Sequence, residues 1–157
     1  MGQLKVLIII VNWNGAKYLP DCLNSVYNQV YPNYELVLVD NASTDGSVEY
    51  VRENFPQVKV IPLDSNLGFV GGTNTGISYA LSTEADYVVL LNNDTKVNST
   101  WLQELVRTAD SDSSIGICFS KILMLDEPEI INSAGGECDI WSFPRDRGFL
   151  EYDKGQY

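Results

Sequence analysis

The chain has 157 residues, 45% of them hydrophobic, with 10 basic side chains, 21 acidic ones and no histidine. This length and apolar share suit one ordinary domain with a packed core. The net charge of −11 argues against a nucleic-acid-binding module, because phosphate neutralisation requires clustered Lys and Arg. Without histidine, no imidazole of this chain can be a base, a nucleophile or a metal ligand, so oxygen ligands must hold any metal.

The cysteines and the first apolar run bear on cellular location. Cys22, Cys118 and Cys138 are widely spaced and form no C-x-x-C pair, which favours reduced cytosolic thiols over a disulfide framework or a zinc site. The run from Val6 to Val11 is too short for a signal peptide or a membrane span. We therefore expect a cytoplasmic protein with no transmembrane segment in this chain.

Predicted strands and helices alternate along the first part of the chain. Continuous aliphatic runs are typical of strands buried on both faces, and the residues from Leu19 to Val30 repeat at helical spacing. Asp45 is predicted to cap the next helix, a glycine-rich loop at 68–72 precedes another, and Thr100 begins the last. The predicted strands are Leu4–Val11, Leu36–Val39, Val58–Leu63, Asp86–Leu91 and Ile115–Phe119, the last continuing toward Met124.

This alternation predicts an α/β fold with a mainly parallel sheet covered by helices on both faces. We expect one α/β domain over residues 1–125. Residues 126–157 contain Gly135-Gly136, an S-F-P turn and scattered aromatic side chains without a periodic face. They are predicted to form irregular loops with room for a hairpin, and to be the incomplete start of a second region.

Polar residues follow four of the predicted strands. In an open parallel sheet, ligands bind at the carboxyl ends of the strands. A single polar cluster at such a position is commonly a turn or a helix cap. Four clusters at one edge outline a polar cleft. The clusters are Asn12 and Asn14; Asp40, Asn41, Ser43 and Asp45; Asp64, Ser65 and Asn66; and Asn92, Asn93 and Asp94.

Among these residues, Asp94 is the candidate metal ligand. A hard cation such as Mg²⁺ or Mn²⁺ uses one or two carboxylates together with substrate phosphates. One carboxylate cannot hold the ion alone, so a bound diphosphate must supply further ligands. The alternative is that Asp94 only caps a turn before the helix that begins at Thr100.

Asp40 and the glycine segment at 68–76 suggest contacts with a nucleotide. Asp40 can accept a hydrogen bond from a base or a ribose hydroxyl, or it can form an Asx turn with Asn41 or Ser43. The glycines allow close approach of anionic oxygens before a helix N-terminus. Their spacing matches neither the Rossmann dinucleotide pattern nor the P-loop pattern.

Four motifs together resemble a known family. They are N-W-N-G at 12–15, V-D-N-A-S-T-D-G-S at 39–47, N-L-G-F-V-G-G-T-N-T-G at 66–76 and L-L-N-N-D-T at 90–95. In this order and spacing they resemble family 2 glycosyltransferases of the GT-A fold, and the rhamnosyltransferase-like branch in particular. The resemblance implies a Rossmann-like fold that binds a nucleotide-sugar, and a metal-dependent, inverting transfer of a hexose such as rhamnose. The implied acceptor is a hydroxyl of a glycan or a lipid-linked acceptor, in polysaccharide biosynthesis.

The resemblance also implies roles for individual residues. Asp94 stands at the last position of the family's D-x-D motif and would bind Mg²⁺ or Mn²⁺, while Asn92 replaces the first Asp. Asp40 would hold the base of a UDP- or dTDP-type donor. The implied nucleotide-sugar-binding residues are Val11, Asn12, Asn14, Asp40, Asn41, Asn66, Gly71, Asn92 and Asn93.

One part of the family pattern is absent. Family members carry the catalytic base downstream, often in an E-D pair, and residues 95–157 contain no E-D dipeptide. We therefore expect the base to lie beyond Tyr157. This donor-binding half is expected to have little activity by itself. The missing part of the enzyme is expected to bring it to the inner membrane face. No spacing singles out one of the available carboxylates, Glu137, Asp139, Asp146, Glu151 and Asp153.

Two other classes of protein have partly similar features. A receiver-like signalling domain also has acidic strand ends and a lysine near its fifth strand, here Lys121, but Asn12 and Asn14 replace its acidic pair and only Asp64 could accept a phosphoryl group. A sugar nucleotidyltransferase would need a basic, Gly-rich loop after the first strand, and none is present. A non-catalytic nucleotide-binding domain stays open.

Overall fold

The computed structural model describes residues 3–138 and 140–157, so Asp139 lies outside the described residues. The chain divides into two compact units after Leu102. We call residues 3–102 the sheet unit and residues 103–157 the C-terminal unit. Each is described by itself.

A four-stranded sheet with the order β3-β2-β1-β4 forms the sheet unit, and all its strand pairs are parallel. The α/β fold expected from the sequence is therefore confirmed. The strands are β1 Val6–Asn12, β2 Tyr34–Asp40, β3 Lys59–Pro62 and β4 Tyr87–Asn92, and the helices are α1 Leu19–Tyr27, α2 Ser47–Asn54, α3 Gly68–Ala80 and α4 Trp101–Ala109, the last of which crosses the division between the units.

The central strand β1 is buried on both faces. Leu7 and Ile9 pack with Val37, Val39 and the end of α3 at Ala80 on one face of the sheet. The alternate residues of β1, which point to the opposite face, are also buried. This double burial explains why the strand is continuously aliphatic. None of the helices in the described residues is long and apolar enough to cross a membrane.

Helix α3 lies unusually close to the sheet because of two glycines. A Cβ at Gly76 would overlap Ile9 Cγ2, and one at Gly72 would lie 2.7 Å from Val11 Cγ1. The prediction that the glycines at 68–72 form a loop is wrong, because the helix already begins at Gly68. Inside the helix, Gly72 and Gly76 allow the helix backbone to pack closely against the sheet.

The C-terminal unit contains two small antiparallel ribbons. One pairs β5 (Ile122–Leu123) with β6 (Ile131–Ser133), and the other is a hairpin of β7 (Gly136–Cys138) and β8 (Pro144–Asp146). The hairpin agrees with the prediction for this region. The predicted strand at Ile115–Phe119 is wrong, since this segment has no regular structure. Its apolar side chains find no neighbouring strand, and Phe119 is 77% exposed.

Candidate functional site

The carboxyl ends of β1, β2 and β4 meet at one edge of the sheet. Asn12 is in register with Asp40, and Val11 is in register with Asn92. Asp40 is 3% exposed. Its Oδ1 accepts hydrogen bonds from Asn12 Nδ2 at 2.9 Å and from Ser43 Oγ at 2.6 Å, and its Oδ2 accepts one from the Ser43 N–H at 2.9 Å. Ser43 therefore fixes the carboxylate of Asp40, as the predicted Asx-turn alternative requires.

Hydrogen bonds connect the turn after β1 to the turn after β2. Asn14 adopts a left-handed conformation with a φ of 50°, which asparagine tolerates well. Its N–H donates to Ser43 Oγ at 2.9 Å, and its Oδ1 accepts from the Thr44 N–H at 2.8 Å. Ala42 has a φ of 59°, a conformation that strains a residue with a Cβ. Such strain persists only where the surroundings fix the backbone, as these cross-links do.

The sequence predicts Asp45 as the cap of the second helix, but Asp45 lies one position before the N-cap of α2. Gly46 is the N-cap of α2, with a φ of 80°, and Asp45 Oδ1 accepts from the Ser47 N–H and from Ser47 Oγ. Asp45 Oδ2 accepts from the Ala16 N–H at 2.8 Å, so the carboxylate also holds the turn after β1. Burial would raise the pKa of Asp45, but the hydrogen bonds from Ser47 and Ala16 outweigh it and hold the pKa below its ordinary value.

Three of the predicted binding residues lie at or contact the start of α3. Asn41 is 2% exposed, and its side chain spans the Gly68 carbonyl and the Leu67 N–H. Asn66 Oδ1 accepts from the Gly68 N–H at 2.8 Å. Gly71 lies in the first turn of the helix, where a Cβ would contact the Leu67 side chain. In the structure these residues orient the beginning of α3.

A cavity of about 380 Å³ opens beside the end of β4 and is lined by Val11, Phe69, Asn92, Asn93 and Asp94. Asn92 and Asp94 are exposed there, and Asn93 Nδ2 donates to Asn12 Oδ1 at 2.9 Å. Phe69, which is 61% exposed and lines the cavity, is not among the site residues that the sequence predicts. The signal that could have identified it is an aromatic side chain inside the glycine-rich motif at 66–76.

The donor set for a cation consists of one carboxylate and neighbouring amides. Among the described residues, no group of three or more Asp, Glu, Cys or His side chains could hold a metal ion. Asp94 is the only acidic side chain lining the cavity. A hard cation with octahedral preference fits this set only when a bound ligand supplies further oxygens.

The polar cleft thus lies at the carboxyl ends of a parallel sheet, where open α/β sheets bind their ligands. The family model described as glycosyl transferase family 2 matches residues 7–147. The chain therefore belongs to glycosyltransferase family 2. This family match argues against the receiver-like signalling domain. Lys121, the lysine that such a domain would use, is paired with Asp153 at 2.7 Å.

Similar proteins agree with this assignment. An uncharacterized glycosyltransferase of Haemophilus influenzae is 26% identical over 144 residues, which is 88% of this chain and 44% of that protein. The structure of the mannosyltransferase PcManGT from Pyrobaculum calidifontis in complex with GDP-Man and Mn²⁺ has a TM-score of 0.66 and 26% identity, covering 74% of this chain and 35% of that one.

A third similar protein is TarS 1–349 of S. aureus in complex with UDP, with a TM-score of 0.61, 22% identity, and coverage of 79% of this chain and 43% of that one. It supports the GT-A fold. The chain spans less than half the length of each of these relatives.

Proposed function

We propose that this chain binds a nucleotide-diphosphate sugar of the UDP or dTDP type and forms the donor side of an inverting hexosyltransferase. The observation that carries the proposal is the placement of Asp40 and Asp94 at the ends of strands on either side of β1. A nucleotide has a base at one end and a diphosphate at the other. The two acidic positions offer one partner for each.

Among the described residues, the hydrogen bonds to Asp40 leave one acceptor position of its carboxylate unused. Each carboxylate oxygen can accept two hydrogen bonds. Oδ1 accepts two internal ones, whereas Oδ2 accepts only one, from Ser43. The remaining acceptor position suits the ring N–H of uracil or thymine. The exposed indole of Trp13, the residue after Asn12, is a flat apolar face on which a base can stack.

Asp94, with the amide oxygens of Asn92 or Asn93, would hold Mg²⁺ or Mn²⁺ together with oxygens of the diphosphate. Such a cation, when bound, would stabilise the negative charge that develops on the departing diphosphate. It would also offset the repulsion between an acidic chain and an anionic ligand. Phe69 covers one side of the same cavity with an apolar surface.

We propose, from the absence of an E-D pair in residues 95–157, that the general base lies beyond Tyr157. In the C-terminal unit, Glu137 is paired with Arg145 at 2.7 Å and Asp153 with Lys121. Asp146 accepts a hydrogen bond from Ser133, and Glu151 accepts from Gln156 and Tyr157. Among these described carboxylates, every one is therefore engaged by a local partner, and we expect the chain to transfer little sugar by itself.

The finer assignments complete the proposal. The N-N-D wording of the fourth motif supports a rhamnosyltransferase-like enzyme, with rhamnose as the sugar and a glycan or lipid-linked acceptor in polysaccharide biosynthesis. We further propose that the donor-binding part extends to residue 125 and that residues 126–157 begin the acceptor side. A cytoplasmic location at the inner membrane face stays a prediction.

Calorimetry with the full chain tests this function. UDP, dTDP and GDP are titrated in Mn²⁺ and in EDTA. We expect UDP or dTDP to bind best and to bind at least tenfold more tightly with Mn²⁺, because a Lewis acid bridges the carboxylate and the diphosphate. Asp94→Ala should remove the metal enhancement, and Asp40→Ala should remove the preference for a pyrimidine base.

Asp110→Ala is the matched control, since it removes one exposed carboxylate from the C-terminal unit and keeps the same net charge as Asp94→Ala. Binding that is equal in Mn²⁺ and EDTA, or an Asp94→Ala variant that binds like the wild type, would refute the site assignment. Robust sugar transfer by this chain would refute the proposed origin of the base.

A further inference from the structure

The side chain of Asn12 lies between Asp40 and the segment that carries Asp94, and it makes hydrogen bonds to both. Asn12 is fully buried. Its Nδ2 lies 2.9 Å from Asp40 Oδ1, 2.9 Å from Ser47 Oγ and 3.1 Å from Ser43 Oγ. Its Oδ1 accepts a hydrogen bond from Asn93 Nδ2 at 2.9 Å. One amide thus joins the end of β2 to the segment that carries Asp94.

The hydrogen-bond partners fix which way this amide points. Ser43 Oγ and Ser47 Oγ use their own protons for Asp40 and Asp45, at 2.6 Å each, so they can only accept from Asn12. A carboxylate oxygen also only accepts. The nitrogen end of Asn12 must therefore face β2, and its oxygen end must face Asn93.

Gly15 encloses the contact between Asn12 and Asn93. A Cβ at this position would overlap both Asn12 Oδ1 and Asn93 Nδ2. The backbone of the turn after β1 is therefore packed directly against this hydrogen bond. Gly15 accepts hydrogen bonds from the N–H groups of Tyr18 and Leu19, which anchors the turn to the start of α1.

We propose that Asn12 is a positioning residue that sets the distance between the base-binding carboxylate Asp40 and the cation-binding segment Asn92–Asp94. The sequence predicts that Asn12 contacts the nucleotide, but its buried amide has its partners inside the protein. The inference rests on the proposed function and adds to it. It identifies the link through which base recognition and metal-assisted diphosphate binding depend on each other.

Three variants separate this role from a merely structural one. Asn12→Asp keeps the shape but turns a donor into a second anion against Asp40, and we expect it to weaken both pyrimidine preference and Mn²⁺ enhancement about tenfold or more. Gly15→Ala places a Cβ against both ends of the Asn12–Asn93 bond, and because Ser43 still holds Asp40, the Mn²⁺ enhancement should fall more than the pyrimidine preference. Val51→Ala removes fully buried methyl groups from α2 and is the control for lost stability.

The measurements are dissociation constants for UDP, dTDP and GDP, each in Mn²⁺ and in EDTA, below the unfolding temperature of every variant. If Asn12→Asp does not fold, the selective loss in Gly15→Ala decides. Wild-type values for both ratios in Asn12→Asp and Gly15→Ala would overturn the inference alone, and so would an equal loss in Val51→Ala. A wild-type chain that binds no nucleotide would overturn the proposed function and this inference together.

Discussion

The two units of the chain bury their apolar residues to very different extents. In the sheet unit, every residue from Val6 to Ile10 is at most 1% exposed. In the described part of the C-terminal unit, Ile131 and Ala134 are the buried hydrophobic residues, while Ile140 is 90% exposed. Both units contain apolar runs. What distinguishes them is that the strands of the sheet unit pair with distant segments, so that β1 and most of β2 are buried on both faces, whereas Val88 and Leu90 of β4 are 41% and 49% exposed.

Polar groups follow the same division. In the sheet unit, Asn12 and Asp40 are each held by several hydrogen bonds. The C-terminal unit has ion pairs at its surface, of which Arg145–Glu137 is an example with side chains 68% and 39% exposed. Exposed pairs of this kind contribute little to stability. The sheet unit is thus the part that can hold functional groups at fixed distances.

Deleting methyl groups at the centre of β1 tests this contrast most strongly. Ile8→Ala should lower the free energy of unfolding by about 2–5 kcal/mol, because it leaves a cavity in a fully buried strand. Ile117→Ala, at a position 74% exposed in the C-terminal unit, should change it by less than about 0.5 kcal/mol. Urea titrations monitored by circular dichroism measure both values. Equal losses in the two variants would contradict the contrast in burial.

The difference in burial between the two units should also appear in the reactivity of their cysteines. Burial raises the pKa of Cys22 to about 11, whereas Cys138 is exposed in the C-terminal unit. A rise from the ordinary 9.0 lowers the thiolate fraction at neutral pH about a hundredfold. We expect a thiol reagent to label Cys138 quickly and Cys22 only on unfolding, with Cys118 between them. Mass spectrometry of digests taken over time identifies each site, and early labelling of Cys22 would show that α1 opens readily.

A methyl group added at Gly76 tests the close approach of α3 to the sheet. Gly76→Ala should cost about 1–3 kcal/mol, because its Cβ overlaps the Ile9 side chain and the helix must move. Gly116→Ala in the C-terminal unit is the matched control, since a Cβ there meets no atom within 4 Å. Thermal unfolding compares the two. A stabilised Gly76→Ala variant would mean that helix propensity outweighs the contact and that α3 can shift freely.

The sequence predicts the sheet unit well for physical reasons. Strands buried on both faces must be aliphatic throughout, and asparagine, aspartate and glycine must follow where such strands end. The four strands, the four helices and the polar edge could therefore be predicted. The pairing of Asn12 with Asn93 could not, because it depends on side chains 81 positions apart.

The remaining errors come from signals that have two physical causes. Glycines before a predicted helix can make a loop or allow a helix to touch a sheet, and Gly72 and Gly76 do the latter. An apolar run such as Ile115–Phe119 has strand propensity, but a strand also requires a partner. When glycine occupies the N-cap, the residue before it can accept a hydrogen bond from the first N–H group of the helix, as Asp45 does from Ser47.

The smallest expected effect concerns pH and two aspartates, one in each unit. The pKa of Asp45 is held below its ordinary 3.8, so its stabilising contribution is complete above that value and disappears as the pH falls through the lower folded-state pKa. Asp45→Asn should therefore cost less than about 1 kcal/mol at pH 7, and wild type and variant should converge at low pH. The Lys121 ammonium likewise lowers the pKa of Asp153, whose side chain is 20% exposed.

Asp153→Asn is the comparison for this last effect, because salt weakens the ion pair of Asp153 with Lys121. Urea titrations between pH 2 and pH 7, at low and high salt, measure both variants. We expect the loss in Asp45→Asn to persist in high salt, since Ser47 and Ala16 donate hydrogen bonds to this carboxylate. The loss in Asp153→Asn should shrink in high salt without vanishing, because the Gly155 N–H also donates to this carboxylate. A salt-sensitive Asp45→Asn would mean that the turns at the site edge are held by general electrostatics rather than by the cross-links that keep Asn12 and Asp40 in place.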